Sequence, residues 1–246
     1  MKAQPEWRTQ VYEGYVHHRT VSNAPDNIEG LRSRSYQLKR LITEHFPTDR
    51  KSPILEVGCG HGALMHFALE LGYLNVRGVD GSSDQVAQAR KLGIEGVEAG
   101  DAMVTLRAQQ TASLAAVVAY DIIEHFDKQS VFDFARETYR VLRPSGRWIL
   151  HTVNGSSPFH GDVRYGDITH ELAFTRHSMG QLLTTSGFAQ MRFYEDVPTV
   201  HGISSAFRWL GWRVIRAALR LWDVIETGDS GRDAVYSRNF IIVAVK

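Results

Sequence analysis

Between residues 53 and 153, strand-like and helix-like segments alternate, and this limits the fold more than any other feature. Strands are expected at 53–57, 75–79, 94–98, 114–120 and 147–153. Helical stretches lie near 62–71, 83–92, 102–110 and 129–142, several closed by glycine or proline, as in "LG" at 71–72 and "RPSG" at 143–146. Such an order needs crossover connections, hence a parallel sheet with helices on both faces. Ligands in that architecture bind outside the carboxyl ends of the strands, where the strand order switches. A helix over 28–46 precedes the alternation, with Leu31, Tyr36, Leu38, Leu41, Ile42 and Phe46 as its apolar and aromatic positions. After residue 153 the pattern changes. A long loop, "NGSSPFHGDVRYGDITHELAF", leads to a helix starting near Thr175 and stopping at Gly187. "AQMRFYE" (189–195) and "NFIIVAVK" (239–246) read as two more strands, too far apart for a hairpin, so a segment is inserted between them.

With 246 residues, 43% of them hydrophobic and 22% charged, the chain can build one large core, with or without an appendage. Its net charge of +1 gives no electrostatic reason to expect nucleic acid as a partner. The single cysteine, Cys59, rules out an intrachain disulfide and suits a reducing compartment. "MKAQPEWRTQVYEGYVHHRT" at the amino terminus holds no apolar run resembling a signal peptide, and no stretch reaches the ~18 apolar residues of a spanning helix. A cytoplasmic location is expected.

The stretch "ILEVGCGHGALMHFALELG" (54–72) joins a buried strand to a helix through three closely spaced glycines. Such a turn lets a nucleotide-like ligand approach the backbone. "GCGHGA" also reads as G-x-G-x-x-A, with Ala63 in the last place, so a nicotinamide or flavin enzyme is a rival reading. Three carboxylates taken together tip the balance, although the second of them, Asp80, is common to both rivals. Glu56, two residues before Gly58, would repel a pyrophosphate and suits a cationic ligand; S-adenosylmethionine carries an ammonium and a sulfonium and no phosphate. Asp80 ends the second strand, ~20 residues on, where a carboxylate can accept both ribose hydroxyls. Asp101 follows the third strand, within reach of an adenine amino group, although a lone Asp there also serves as a helix cap.

With these residues in view, the chain resembles the class I S-adenosylmethionine-dependent methyltransferases over roughly residues 50 to 195. "LEVGCGHG", "GVDGS" and "AGDA" are similar to the family's first three motifs, and "VVAYDIIEHF" and "RVLRPSGRWIL" to later ones. The resemblance implies a Rossmann-like α/β fold: a seven-stranded, mainly parallel sheet with an antiparallel last strand and helices on both faces. It also implies that Glu56, Gly58, Gly60 and Gly62 hold the methionine part. Asp80 and Gly81 then lie at the ribose, Asp101 and Ala102 at the adenine, and Tyr120 beside the cofactor.

Methyl transfer to a hydroxyl needs alignment and a base. In "DIIEHF", His125 is the first candidate for general base, one helical turn from Asp121; supporting the pocket is the alternative role for Glu124 and His125. The loop at 160–175 adds Asp167 and His170 as acceptor contacts or an alternative base, with His160, Asp162, Arg164, Tyr165 and Glu171 as substrate-binding candidates. So many hydrogen-bonding groups suit a polyhydroxylated acceptor, and "YGDITHELAFT" with "LLTTSGF" is similar to a bacterial subgroup associated with glycan or glycoside synthesis. The expected activity is O-methylation of a sugar or glycosylated small molecule. Quinone or other small-molecule methylation, an NAD-dependent oxidoreductase and a non-catalytic cofactor-binding subunit are the alternatives. No metal is expected, since no tight ligand spacing stands out and "HE" at 170–171 lacks a zinc helix's second histidine.

The inserted segment, "ISSAFRWLGWRVIRAALRLWDVIETG" (203–228), can form an amphipathic helix with Arg208, Arg213, Arg216, Arg220 and Asp223 on one face. Packing against the domain or a second subunit is the expectation; peripheral contact of 203–226 with the inner face of a membrane is the rival. The organisation expected is a helical lid over 1–50, a methyltransferase core over 51–196, a helical insertion over 197–237 and a final strand over 238–246. Trp7, Tyr12, Tyr15, His17 and His18 supply the lid's aromatics.

Overall fold

The computed structural model describes residues 6–13, 24–229, 231 and 233–246. Tyr15, His17 and His18 of the expected lid lie outside them. Helices α1 (Glu6–Glu13) and α2 (Arg32–His45, entered through a 3-10 turn at Ile28–Leu31) precede the alternating part. This runs β1 (Ile54–Val57), α3 (Ala63–Glu70), β2 (Val76–Asp80), α4 (Ser83–Lys91), β3 (Val97–Ala99), α5 (Ala102–Ala108), β4 (Leu114–Tyr120), α6 (Lys128–Val141) and β5 (Leu142–Val153). Then come α7 (His160–Arg164), α8 (Arg176–Thr185), β6 (Gln190–Glu195), α9 (Ile203–Thr227) and β7 (Asn239–Val245).

The sheet has seven strands in the order β3-β2-β1-β4-β5-β7-β6. All neighbours are parallel except β7, which runs antiparallel to both β5 and β6. The strand order switches between β1 and β4, so the loops after their carboxyl ends face one crevice. Expected and observed elements agree closely. The main difference is at "RPSG", where Leu142 pairs with Leu114 before the turn and Arg147 with Ala116 after it, so β5 begins earlier and carries an irregularity.

Two apolar layers sandwich the sheet. On one side Met103, Leu106, Phe134, Leu182 and Phe188 pack over Val117, Trp148 and Ile242. On the other, Leu38, Ile42, Met65, Phe67 and Val86 pack over Ile54, Val118 and Ile149. Helix α2 therefore belongs to the core: Leu38, Leu41 and Ile42 are buried in the same cluster as the central strands, and the lid expected over 1–50 does not extend to it. Side-chain caps start the helices facing the crevice, from Ser82 for α4, Asp101 for α5 and Asp127 for α6. Among the described residues no helix is long and apolar enough to cross a membrane.

Candidate active site

The turn from β1 to α3 is left-handed at Gly58 (φ 68°), Gly60 (φ 55°) and Gly62 (φ 77°), a conformation that side chains disfavour. Asp80, at the end of β2, locks it: its Oδ2 accepts from Gly60 N at 2.7 Å and its Oδ1 from Ser82 N at 2.8 Å. Burial raises the Asp80 pKa, and these two backbone donors oppose the rise. Beside the turn lies a cavity of about 240 Å³ whose walls include Tyr12, Gly60, Asp80, Gly81, Asp101 and Ala102. Asp101 also caps α5, accepting from Val104 N at 2.9 Å.

A second cavity of about 420 Å³ opens on the other side of the turn, walled by Arg34, Glu56, Tyr120, Asp162, Asp167 and His170 among others. Glu56 is buried, and its Oε2 has no hydrogen-bond partner. Burial pushes its carboxyl up to about 8, with Arg34 opposing the rise and Asp80 adding to it. His61 borders the same space: its Nδ1 meets Gln85 Oε1 at 3.2 Å, while its buried Nε2 has no partner.

His125 lines both cavities, as do Gly58, Gly60, Gln85 and Asp121. The 3-10 turn at Ile123–His125, directly after β4, delivers it there. Thr169 Oγ1 donates to Asp167 Oδ1 at 2.6 Å, so it accepts from His125 Nδ1–H at 2.8 Å. In that tautomer the lone pair sits on Nε2. Burial, reinforced by neighbouring His170, lowers the His125 pKa to about 4; Asp167 and Asp121 pull the other way. The ring is therefore neutral at physiological pH. His170 Nδ1 donates to Val163 O at 2.9 Å. His125, Asp167 and His170 each offer one atom within 4.8 Å of the other two, a grouping that could take a cation and that sequence spacing did not reveal.

His151, in the middle of the sheet on β5, is held in the opposite state. Its ring meets Asp121 Oδ1 at 2.5 Å and Asp196 Oδ2 at 3.3 Å and stacks on Tyr120 at 4.2 Å. Burial disfavours its charge, but Asp121 and the hydrogen bonds to both carboxylates outweigh burial and hold its pKa well above the usual value. Glu124 is buried alongside, accepting from Thr152 Oγ1 at 2.8 Å. Burial and the Asp121 charge push its carboxyl up to about 8.

Residues 54–146 match the family described as "Methyltransferase domain". The chain is also 27% identical over 158 residues to cyclopropane mycolic acid synthase 3 of Mycobacterium tuberculosis, covering 60% of this chain and 50% of that protein. It is 32% identical over 104 residues to the M. tuberculosis cyclopropane mycolic acid synthase MmaA2, covering 42% and 36%. The chain thus spans half or less of these relatives' length. Among solved structures, a SAM-dependent methyltransferase from Archaeoglobus fulgidus superposes with a TM-score of 0.66 at 20% identity, covering 88% of this chain and 94% of that one. Phosphoethanolamine N-methyltransferase 2 of Haemonchus contortus, solved with phosphomonomethylethanolamine and S-adenosylhomocysteine, superposes at 0.62 and 16% identity, covering 96% and 60%. Residues 54–146 thus match a methyltransferase domain, and the fold is the one shared by these SAM-dependent methyltransferases of known structure.

The site fits S-adenosylmethionine by its own chemistry. The unpartnered Glu56 oxygen beside the glycine turn suits the ammonium group, and Asp80 at the end of β2 suits ribose hydroxyls. A pyrophosphate would face both carboxylates. Of the cofactor residues expected from sequence, Glu56, Gly58, Gly60, Asp80, Gly81, Asp101, Ala102 and Tyr120 line one cavity or both. Gly62 lines neither: a Cβ there would meet Ile94 and Val97 at 2.9 Å, so its role is close packing under the turn. Of the acceptor candidates, His125, Asp162, Asp167 and His170 line the larger cavity.

The other acceptor candidates are engaged elsewhere. His160 binds Ser157 O, and Arg164 donates to the carbonyls of His170 and Glu171 and stacks on the exposed Tyr165. Glu171 pairs with Arg8 at 2.6 Å. All four belong to a loop that bonds to itself and to α1. Arg34, His61, Gln85, His151, Thr169 and Asp196 were missed. His61 and Thr169 sit inside stretches already singled out for their other residues, whereas Arg34, Gln85, His151 and Asp196 come from separate elements and no local motif marks them.

Proposed function

We propose that the chain is an S-adenosylmethionine-dependent O-methyltransferase acting on a hydroxyl of a sugar or another polyhydroxylated small molecule, with His125 as general base. The observation that carries this reading is the place and state of His125, a neutral ring at the junction of the glycine-turn cavity and the polar cavity. S-adenosylmethionine supplies a methyl group on a sulfonium, a good leaving group. The chain's residues must present a nucleophile in line and take its proton. Nε2 of His125 accepts that proton. The resulting imidazolium keeps its charge and is stabilised by Asp167, joined to it through the Thr169 hydroxyl, and by Asp121. Arg34, Asp162, Asp167 and His170 offer charged and polar contacts to several hydroxyls, whereas an acyl chain would cover these groups without pairing them.

A second reading comes from the relatives, which are named as cyclopropane mycolic acid synthases: transfer to a carbon of a lipid chain. Incubation with methyl-labelled cofactor and two acceptor panels, hydroxylated glycosides and unsaturated lipids, separates the two. An alkali-stable methyl ether on a glycoside is the expected product, with turnover reduced by roughly 10²-fold or more in His125→Ala while S-adenosylhomocysteine affinity is kept. Label on a lipid carbon alone would replace the first reading with the second.

A further inference from the structure

Helix α9 lies with its polar side against the domain and its apolar side toward solvent. Arg216 Nε bonds Glu195 at 2.9 Å, Asp223 accepts from Tyr236 Oη at 3.0 Å, and Ser205 is the helix's one buried side chain among the described residues. On the opposite side Ile203, Phe207, Val214, Leu221 and Ile225 are 61–80% exposed. At about 100° per residue these five fall within a narrow arc that also holds Leu210, Ala217 and Ala218, with no charge inside it. The strip runs from Ile203 to Ile225 of this 25-residue helix and is therefore roughly 33 Å long. A surface helix of a globular domain ordinarily turns such a strip inward. Sequence periodicity placed the arginines and the apolar residues on separate faces; the helix does lie against the domain, but through its polar side, and its apolar side is left open.

The geometry points to an anionic bilayer surface as what covers this strip. Arg208 and Arg213, both exposed, flank the strip on its two sides, and Arg213 stacks over Trp209 at 5.1 Å. Trp222 sits at the strip's edge, donating to Glu226 at 2.8 Å. An apolar face bordered by arginine and tryptophan suits a helix lying in the headgroup boundary, with cations toward anionic lipid. A second copy of the chain fits less well, because a two-fold pairing would bring two sets of Arg208 and Arg213 around one interface, with Glu226 the only exposed acid on the helix. The strip also starts next to the site. Tyr36 stacks on His201 at 4.2 Å, and Gln37 donates to Asp196 at 2.7 Å, so α9 begins beside the helix whose Arg34 lines the polar cavity. The bilayer would thus lie near that helix. This inference does not depend on the identity of the methyl acceptor.

Co-sedimentation of the full chain with phosphatidylcholine vesicles, with and without phosphatidylglycerol, tests it. Wild type binds the anionic vesicles, and added salt weakens the binding. The double substitution Val214→Asp, Leu221→Asp lowers partitioning by about 10-fold or more, and Arg208→Glu, Arg213→Glu removes the preference for anionic lipid. All four side chains are exposed, so the variants keep their circular dichroism and their affinity for S-adenosylhomocysteine. Absence of vesicle binding by wild type, or binding that survives the double aspartate, overturns the proposal. So does a wild-type dimer in analytical ultracentrifugation that the double aspartate converts to monomer, because a second copy would then cover the strip.

Discussion

Burial acts on His125 and His151 alike, yet their partners drive them to opposite charge states. His151 has two carboxylates in hydrogen-bond reach and keeps its proton; His125 has a hydroxyl and a second histidine, and its pKa falls to about 4. Neighbouring titratable groups pushed apart in this way mark out acid and base roles. A base must be unprotonated to act, so with His125 as the proposed base and S-adenosylmethionine saturating, kcat/KM for the acceptor stays level as pH falls through 6.5 and declines only near about 4. A pH-rate profile over the range in which circular dichroism shows a folded chain checks this. A decline centred at an ordinary histidine value would contradict the assignment. His125 stood out in the sequence because it sits in a compact motif directly after β4. His151 did not, since its meaning depends on Asp121 and Asp196, residues 30 and 45 positions away that only the folded sheet brings together.

Among the elements, the β1–α3 turn divides work that its sequence makes look uniform. Its glycines share left-handed backbone angles, but their surroundings differ. At Gly60 a Cβ would come no nearer than 3.8 Å to any neighbour, whereas at Gly62 it would press on Ile94 and Val97 at 2.9 Å. Gly62→Ala therefore lowers unfolding stability by about 1–3 kcal/mol through both strain and overlap. Gly60→Ala costs less stability but weakens S-adenosylhomocysteine binding more, because its Cβ enters the ligand cavity. Chemical denaturation and calorimetry on the two variants check the contrast; equal effects in both measurements would refute it. Strand and helix positions were legible because burial on both sides of a parallel sheet imposes continuous apolar runs between helical periods. The orientation of α9 was not legible, because periodicity shows which residues share a face but not which face meets Glu195 and Tyr236.

At the scale of the whole molecule, the site is built where chain segments from both halves of the sheet end. Glu56 and Asp80 come from the strands before the switch in strand order; Asp121 and His125 follow β4, and Asp167 and His170 come from the loop after β5. Asp196, just beyond β6, reaches back to His151 and to Gln37 on α2, tying the entrance of α9 to the same centre. The first half of this arrangement was readable as motifs, since a glycine turn and strand-end carboxylates are local patterns. The second half was only partly readable, because the 160–175 loop is rich in polar residues and the fold alone decides which face the cavity. The glycine turn, with the unpartnered Glu56 oxygen beside it, is fitted to S-adenosylmethionine, through its ammonium group, rather than to a phosphate-bearing ligand. Titration calorimetry of wild type and Glu56→Gln with S-adenosylhomocysteine and with NADH tests this most directly. Wild type binds S-adenosylhomocysteine and not NADH, and Glu56→Gln loses roughly 10-fold or more in affinity, because the ligand's ammonium holds the Glu56 carboxyl ionised and the substitution removes that charge-assisted contact. Binding of NADH by a chain that does not bind S-adenosylhomocysteine would contradict it.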